Sequence, residues 1–588
     1  MSPSLEQFQL EMNGIPASPG VVIGRAFVLD RARLISTQHH IPADEVPQEL
    51  RRLKRALALS QTQLQKLLQR LVAKGAGTEH TYILEAHILM LQDPELVEGV
   101  RQRILERHIN AEWALKDCLK SLKETFLNID NEYFQERGSD IDQVGERILR
   151  NLLGYRDQTV RNVPPNSIVV SQELSPADTI PMLKGRLAGF VTELGGRTSH
   201  IAILARSMEV PALVGVEGVV QNVCTGDTMI VDGERGVVII RPEDALLQSY
   251  KLRRRRFLKH QRQLAGNRAL PAITRDGVKV SLLANVEKLD ELDALKEYGA
   301  EGVGLYRTEF LFLNRRALPD EEEQFQAYFE LVRRAAGQPV IIRTLDLGAD
   351  KGLLGEPRSD KDKHLSPALG LRGVRYWLRH PELMEPQLRA ILRVACYGDV
   401  RIMVPMISGV EEVLQVKQAV MQVRAQLQAR GLELPPHVPL GIMIETPAAA
   451  VVADLLAPLV DFFSIGTNDL IHYTLAVDRL DERLSYLYQP VHPAVVRLLR
   501  DVIACGERAG IPVSMCGEMA GEPLYTQLLL GLGLRSFSMS PMLIPAVKNL
   551  IRKISSPHAK ALSAAALQQG TGTALQEWLL EQQRPLLP

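Results

Sequence analysis

Hydrophobic positions change their spacing several times along the 588-residue chain. Residues 14–30 form a short β-like run between glycines, and short apolar strands with glycine turns return over residues 167–241. Between these two stretches, from about residue 47 to residue 155, leucines recur at spacings of three, four and seven, which is the period of amphipathic helices. The pattern predicts a bundle of helices inserted into a small α/β domain.

A second pattern, in which short apolar strands alternate with helical stretches, begins at residue 272. Eight such strands over roughly 310 residues predict a (β/α)₈ TIM barrel, so the fold class is α/β multidomain. The segment FSMSP at residues 537–541 is an alternative to the fourth strand, which is short and carries two glycines. The eight candidate strands are 278–286, 301–308, 340–346, 368–373, 400–407, 440–446, 462–468 and 512–518.

The composition narrows the class of protein. Lys+Arg and Asp+Glu both number 69, and this balance argues against a dedicated nucleic-acid binder. The five cysteines are widely spaced without a CxxC pair, which favours reduced thiols in a cytosol. The N-terminus shows no secretory signal and no apolar stretch is long enough to span a membrane. We therefore expect a cytoplasmic globular protein without membrane insertion.

Polar residues follow the candidate barrel strands at the end where TIM barrels carry their active sites. One charged residue at a strand end is usually only the edge of a loop, but arginines, carboxylates and a thiol converging from several strands favour a site. Guanidinium groups match phosphate oxygens, and Glu445 with Asp469 would suit Mg²⁺. The pattern therefore predicts a small phosphorylated substrate. The strand-end residues are Asn285, Arg307, Arg343, Asp346, Arg372, Glu445, Asn468, Asp469, Cys516 and Glu518.

A second candidate for chemistry is the segment Gly195-Gly196-Arg197-Thr198-Ser199-His200, which lies between a strand and an apolar helical run. Free N–H groups at a helix start favour a phosphate, and a histidine placed there can accept a phosphoryl group. Thr198 could hold the imidazole or the phosphate, and Arg197 could balance its charge. The pattern alone leaves a purely structural histidine as an equally good interpretation.

Several motifs in the right order resemble the enzyme I family of the bacterial sugar phosphotransferase system. They are ASPGVVIG, GGRTSH, GLYRTEFLF, IMVPMI, SIGTNDL, YTLAVDR, YQPVHPAV, MCGEMAG and FSMSPMLIP, and they span residues 17–545. The resemblance implies transfer of a phosphoryl group from phosphoenolpyruvate, through a phosphohistidine on His200, to the carrier protein HPr. It also implies a homodimer formed through the barrel.

The resemblance assigns further roles to residues that match the family's motifs. Arg307 and Arg343 would bind the phosphate of phosphoenolpyruvate, with Arg372 as another basic residue of the pocket. Asn468 and Arg479 would be further substrate contacts. Glu445 and Asp469 would hold Mg²⁺, and Cys516 would donate a proton to the enolate.

The domain organisation expected from pattern and resemblance has four parts. The phosphohistidine domain would comprise residues 1–32 and 157–245, and the helical insert at 33–156 would bind HPr. Residues 246–271 would form a helical linker, and residues 272–588 the phosphoenolpyruvate-binding TIM barrel and dimerisation domain. Since His200 must visit donor and acceptor in turn, we expect the domains to swing about the connector at residues 242–270.

Three rival interpretations remain. A dikinase or phosphoenolpyruvate synthase shares the histidine domain and the barrel, but the first 160 residues here show no glycine-rich nucleotide loop. A regulatory protein without turnover would not need the intact set of site residues. The nitrogen-linked paralogue usually carries an additional N-terminal sensory domain.

Overall fold

A computed structural model describes most of the chain, and it divides the molecule into two compact units, Met1–Lys259 and His260–Pro588. The described residues are 8–29, 37–72, 87–127, 138–154, 163–172, 174, 187–195, 205, 210–312, 318–347, 369–478, 482–584 and 586. None of the helices within these ranges has the length and hydropathy needed to cross a bilayer.

The first unit contains an eight-stranded sheet in the order β1-β8-β7-β3-β4-β5-β6-β2. Strand β3 precedes the helical segment and β4 follows it, and the two strands pair in parallel with Arg25 opposite Ser167. This pairing confirms that the helices are inserted into one α/β domain. The strands are β1 (Leu10–Asn13), β2 (Ile15–Ser18), β3 (Val21–Val28), β4 (Ser167–Ser171), β5 (Gly189–Thr192), β6 (Ala212–Val214), β7 (Thr228–Asp232) and β8 (Val237–Ile240).

The inserted helices pack around an apolar core that includes Leu64, Ile104 and Ile148. A partly buried polar contact joins three of the helices: the Arg52 guanidinium pairs with Glu49 at 2.7 Å and with Glu112 at 2.6 Å, and it also donates to the carbonyl of Leu152. The helices are α1 (Val46–Val72), α2 (Pro94–Arg107), α3 (Ala111–Leu127) and α4 (Gly138–Leu152).

Two further helices follow in this part of the chain, the one-turn α5 (Val219–Asn222) and the long connector α6 (Asp244–Gly266). Tyr250 of α6 packs against Val21, Ile230 and Ile239 of the sheet, and Arg253 pairs with Asp232 at 3.3 Å. The first half of the connector is therefore anchored to the α/β domain.

The second unit is a closed barrel of eight parallel strands, as the alternating pattern predicts. Its strands are β9 (Ser281–Val286), β10 (Val303–Arg307), β11 (Val340–Arg343), β12 (Val400–Val404), β13 (Leu440–Ile444), β14 (Phe462–Ile465), β15 (Val513–Met515) and β16 (Ser536–Met539). The helices are α7 (Asp293–Tyr298), α8 (Glu321–Ala335), α9 (Val374–Arg379), α10 (Pro381–Val394), α11 (Val410–Ala429), α12 (Pro447–Val451), α13 (Ala453–Leu456), α14 (Thr467–Leu475), α15 (Pro493–Ala509), α16 (Pro523–Gly531), α17 (Ile544–Ile551), α18 (Ser556–Ala566) and α19 (Gly572–Gln583).

The prediction of a strand at 368–373 is wrong. Strand β11 pairs directly with β12, with Val340 opposite Val400, and residues 369–373 form a turn before α9. The cause is Gly373, whose φ of 57° suits glycine and whose Cβ would lie 2.7 Å from the side chain of Met406. The alternative segment supplies β16, which pairs with β15 and β9 and closes the barrel.

Candidate active site

The carboxyl ends of the barrel strands enclose a pocket of about 260 Å³. Eight of the ten strand-end residues that the sequence singles out line it, while Asn285 and Glu518 are not among its described lining residues. Because the segment 368–373 is not a barrel strand, the residues assigned to the sixth, seventh and eighth strands each move forward by one strand. Arg372 lies in the segment after β11, Glu445 follows the fifth strand, Asn468 and Asp469 open the helix after the sixth, and Cys516 follows the seventh. The alternation of strands and helices therefore brings residues more than 200 positions apart into one site.

Arg343 ends strand β11, and its side chain is about 11% exposed. Its Nη2 pairs with Glu309 Oε1 at 3.1 Å and its Nη1 with Asp346 Oδ2 at 3.1 Å. Burial disfavours the charge of Arg343, but Glu309 and Asp346 outweigh it and raise the guanidinium pKa above its ordinary value. The arginine is therefore charged, and its fork is fixed from two sides.

Arg372 is held by the same carboxylate from the other side. Its Nη2 lies 3.2 Å from Asp346 and 3.3 Å from Asp469, and its Nη1 lies 3.5 Å from the Tyr473 hydroxyl. Burial opposes the charge of Asp346, but Arg343 and Arg372 outweigh burial and lower the pKa of that carboxyl. Asp346 therefore joins two arginines as one charged unit.

Two guanidinium nitrogens in this pocket have no acceptor among the described residues. They are the buried Nε atoms of Arg307 and Arg343, while Nη1 of Arg307 pairs with Glu287. A buried donor without an acceptor costs about 1–3 kcal/mol, so such groups usually meet a ligand or water. The oxygens of a phosphate or carboxylate provide suitable acceptors.

Glu445 is buried at the end of β13, and its Oε1 accepts a 2.6 Å hydrogen bond from the backbone N–H of Met406. Burial, with the nearby charges of Asp469 and Asp346, raises the pKa of Glu445 to about 8. Asp469 lies in the first turn of α14, which begins directly after β14. A cation between these carboxylates would remove their repulsion and favour the ionised form of Glu445.

The residues lining the pocket fit Mg²⁺ in charge and in donor type. Four carboxyl groups face three guanidinium groups there, so the side chains alone leave no surplus of positive charge to balance a multiply charged anion. The described part of the chain has no cluster of three or more side chains built to hold a metal. Mg²⁺ often takes only one or two protein carboxylates and completes its octahedron with water and substrate oxygens, which agrees with Glu445 and Asp469.

Cys516 follows β15 and closes the pocket above an apolar layer formed by Leu305, Ile341, Met403, Met443 and Phe462. Burial raises the pKa of the thiol, so its sulfur carries a proton at neutral pH. The Ser464 hydroxyl donates to this sulfur at 3.3 Å. A protonated thiol at the pocket wall can serve as an acid.

Asn468 is fixed by a pair of hydrogen bonds with Glu518: its Nδ2 donates to the carboxylate at 3.0 Å and its Oδ1 accepts from the backbone N–H at 2.9 Å. The other predicted site residues, Arg197, Thr198, His200 and Arg479, lie outside the described residues, so their assignments stay predictions.

Sequence reasoning missed two contributors to this site. Glu309 and Tyr473 hold Arg343 and Arg372 respectively, and neither was singled out from the sequence. For Glu309 a signal was present, because a carboxylate two positions after Arg307 interrupts the apolar stretch GLYRTEFLF. Tyr473 lies four positions after Asp469 on the same helix, so the two side chains are one helical turn apart.

Family models with matching descriptions cover most of the chain. The PEP-binding domain of PEP-utilising enzymes matches residues 261–556, the N-terminal domain of these enzymes matches 13–137, and their mobile domain matches 163–236. The barrel with its arginine-lined pocket and the divided α/β domain are thus those of a PEP-utilising enzyme.

Curated relatives narrow this class. The phosphoenolpyruvate-protein phosphotransferases of Staphylococcus carnosus and Listeria monocytogenes are each 41% identical to this chain, over 95% and 96% of it and over 97% and 98% of their own lengths. The protein of that name from Haemophilus influenzae is 39% identical over 97% of this chain and 99% of its own length. The chain belongs to the phosphoenolpyruvate-protein phosphotransferase family and is a transferase.

Proposed function

We propose that this enzyme transfers the phosphoryl group of phosphoenolpyruvate to His200 and then to a histidine of HPr, as the first step of sugar uptake by the phosphotransferase system. The observation that carries the proposal is the barrel pocket, in which fixed arginines, two carboxylates suited to Mg²⁺ and a protonated thiol meet. Cleavage of phosphoenolpyruvate requires binding of the anion, neutralisation of charge on the phosphoryl group and protonation of the enolate, and each kind of group can serve one of these steps. The names of the curated relatives support the same donor and a protein acceptor.

The arginines bind the anionic substrate in this proposal. Arg343 and Arg372 are already charged and oriented by Glu309, Asp346 and Asp469, so little reorganisation is needed when the phosphate arrives. The free Nε groups of Arg307 and Arg343 donate to its oxygens. Mg²⁺ held by Glu445 and Asp469 would neutralise charge on the transferring phosphoryl group.

The chemical step breaks the P–O bond of phosphoenolpyruvate and forms an N–P bond on the imidazole of His200. The enolate that remains takes a proton from the Cys516 thiol at its methylene carbon, which gives pyruvate. The thiolate then recovers its proton from solvent. The raised pKa of Cys516 supports this role, because the thiol enters the step protonated.

The second half-reaction passes the phosphoryl group from His200 to HPr, which the inserted helices would bind. Arg197 and Thr198 would stabilise the phosphohistidine, Arg479 and Asn468 would complete the substrate contacts, and the connector at 242–270 would act as the hinge. In this proposal the enzyme works in the cytoplasm as a homodimer joined through its barrels. These roles rest on the family motifs.

Labelled phosphoenolpyruvate tests the proposal directly. We expect the purified enzyme to incorporate one phosphoryl group in the presence of Mg²⁺, to release pyruvate and to pass the label to purified HPr. Replacing His200 with alanine should abolish labelling. His472→Ala should retain it, because His472, which packs edge-on against Tyr473 on α14, is expected to be only a structural neighbour of the metal site. Stoichiometric labelling of the His200→Ala variant would overturn the assignment, and ATP-dependent labelling of the wild type would favour a dikinase instead.

A further inference from the structure

Gln387 lies on helix α10, behind strands β10 and β11, and is completely buried. It is not among the described residues that line the pocket. Both ends of its side-chain amide are hydrogen-bonded: Oε1 accepts from the backbone N–H of Leu345 at 3.0 Å, and Nε2 donates to the hydroxyls of Thr308 and Tyr328, each at 3.3 Å. One amide therefore joins the ends of two neighbouring strands to a helix.

Two of its three partners, Thr308 and Leu345, are chain neighbours of residues in the arginine–carboxylate cluster of the pocket. Thr308 directly follows Arg307, and its hydroxyl donates to the carbonyl oxygen of Arg343 at 2.9 Å. Leu345 directly precedes Asp346, the carboxylate that pairs with both Arg343 and Arg372. A shift of the Gln387 amide would therefore move the backbone on either side of the guanidinium cluster.

The hydrogen-bond network continues behind Gln387 through two more side chains, each of which donates to an acceptor. The Tyr328 hydroxyl donates to Gln324 Oε1 at 3.2 Å, and Gln324 Nε2 donates to the carbonyl of Pro319 at 3.1 Å. Tyr328 and Gln324 are themselves buried. Buried polar networks whose members are all satisfied specify a single arrangement, because any other leaves donors unpaired in a low-dielectric interior.

Burial of a glutamine in this barrel does not by itself produce such a network. Gln527 on α16 is also buried, yet neither atom of its amide has a hydrogen-bond partner among the described residues. Gln583 on α19 is fully buried and makes a single bond, from Nε2 to the carbonyl of Leu524 at 2.7 Å. The three-way bonding of Gln387 is therefore a property of its place between the two strand ends.

We propose that Gln387 is a positioning residue for phosphoenolpyruvate, acting through Thr308 and Leu345 to hold Arg343 and Asp346 in place before the substrate binds. The role rests on the proposed binding of phosphoenolpyruvate in the arginine pocket. Substrate contacts that are already in place at binding contribute equally to the ground state and the transition state, so losing them raises KM and leaves kcat nearly unchanged.

The test compares four variants of the full-length enzyme. Gln387→Met keeps the volume and removes the amide, and Thr308→Val removes the hydroxyl without changing the shape of the side chain. Thr308→Ser restores that hydroxyl, and Gln583→Met removes a buried glutamine that is remote from the pocket. Steady-state rates with HPr give KM and kcat, and calorimetry of each change in a His200→Ala background gives the affinity for phosphoenolpyruvate without turnover.

We expect Gln387→Met and Thr308→Val to raise KM and the dissociation constant about tenfold, which corresponds to the loss of one or two hydrogen bonds, with kcat within about threefold. Thr308→Ser and Gln583→Met should bind like the parent. Unchanged affinity in Thr308→Val, or an equal loss in Gln583→Met, would overturn the positioning role even if Gln387→Met failed to fold. If the His200→Ala parent itself did not bind phosphoenolpyruvate, the result would overturn the assignment of the pocket as the phosphoenolpyruvate site, on which the role of Gln387 rests.

Discussion

Ser464 donates a hydrogen bond to the sulfur of Cys516 across 3.3 Å, and both side chains are buried in the upper part of the barrel. The thiol in turn donates to the carbonyl oxygen of Ile465 at 3.7 Å, so the sulfur has two polar neighbours beside the apolar layer of the barrel interior. Together the two bonds restrict the rotation of the thiol and the direction of its S–H bond. This orientation matters if the thiol protonates an enolate bound in the pocket.

Replacing Cys516 with alanine should leave the affinity for phosphoenolpyruvate nearly unchanged while slowing pyruvate release about 100-fold or more, because only the proton transfer is lost. Calorimetry and single-turnover pyruvate assays separate the two effects. Undiminished pyruvate formation would remove the acid role from this thiol.

Ser464→Ala should have a smaller effect of the same kind, with pyruvate release slowed about tenfold, since the thiol remains but is less well oriented. Ser514→Ala is the matched control. Ser514 is the register partner of Ser464 on the next strand, but its hydroxyl donates to the carbonyl of Phe463. If both serine variants slowed the step equally, orientation of the thiol would not be the explanation.

Glu445 should make the stability of the metal-free protein depend on pH. Burial and the nearby carboxylates raise the pKa of Glu445 from its ordinary 4.5 to about 8 in the folded protein, so the folded state holds this proton more tightly than the unfolded chain. The contribution to stability is fully present below the unfolded pKa and is lost as pH rises through the folded pKa. The melting temperature in the presence of EDTA should therefore fall between about pH 5 and about pH 9.

The Glu445→Gln variant tests whether Glu445 causes this pH dependence, because a glutamine side chain does not titrate. Its metal-free melting temperature should change less with pH than that of the parent, and Mg²⁺ should no longer raise it. In the parent, Mg²⁺ should stabilise more strongly at higher pH, where the carboxylate is ionised without help. Parallel pH profiles for parent and variant would show that another group causes the dependence.

Gly517 lies so close to Thr467 that there is no room for a side chain at this position. A Cβ at this position would lie 1.9 Å from Thr467 Oγ1 and 2.6 Å from the Thr467 backbone nitrogen. Because Thr467 opens the helix that carries Asn468 and Asp469, Gly517→Ala should displace both residues and reduce kcat/KM about 100-fold. Gly570→Ala is the control, since nothing lies within 4 Å of its added Cβ. Wild-type activity in Gly517→Ala would mean that the helix start tolerates the shift.

The sequence predicts the barrel well because its strands are apolar and regularly spaced, and it fails where spacing is ambiguous. Residues 368–373 look like a strand by hydrophobicity alone, but the positive φ of Gly373 makes a turn there. The short alternating stretch SFSM, Ser536–Met539, is the closing strand instead. Hydrophobicity cannot separate two such segments, because pairing with β9 decides between them.

For the site, the sequence identifies the residues at the strand ends but not the contacts that orient them. Arg343 and Glu445 follow from their places after apolar strands, whereas the role of Glu309 depends on its distance from Arg343 across two strands. Gln387 shows the same limit more clearly. It is a polar residue within a helix of ordinary pattern, and only the tertiary structure reveals that it meets Thr308 and Leu345.

Arg343 provides the most direct test of the donor site. Its two terminal nitrogens pair with Glu309 and Asp346 at the same time, each at 3.1 Å, while Nε has no acceptor. A lysine has one ammonium group and cannot reproduce this fork, so Arg343→Lys should raise KM for phosphoenolpyruvate about 100-fold and leave one buried carboxylate unpaired. The unpaired carboxylate should also lower the free energy of unfolding by about 3 kcal/mol. Arg401→Lys is the control, since Arg401 makes only an exposed pair with Asp399. A variant at Arg343 that bound phosphoenolpyruvate as tightly as the control would show that the fork does not hold the substrate.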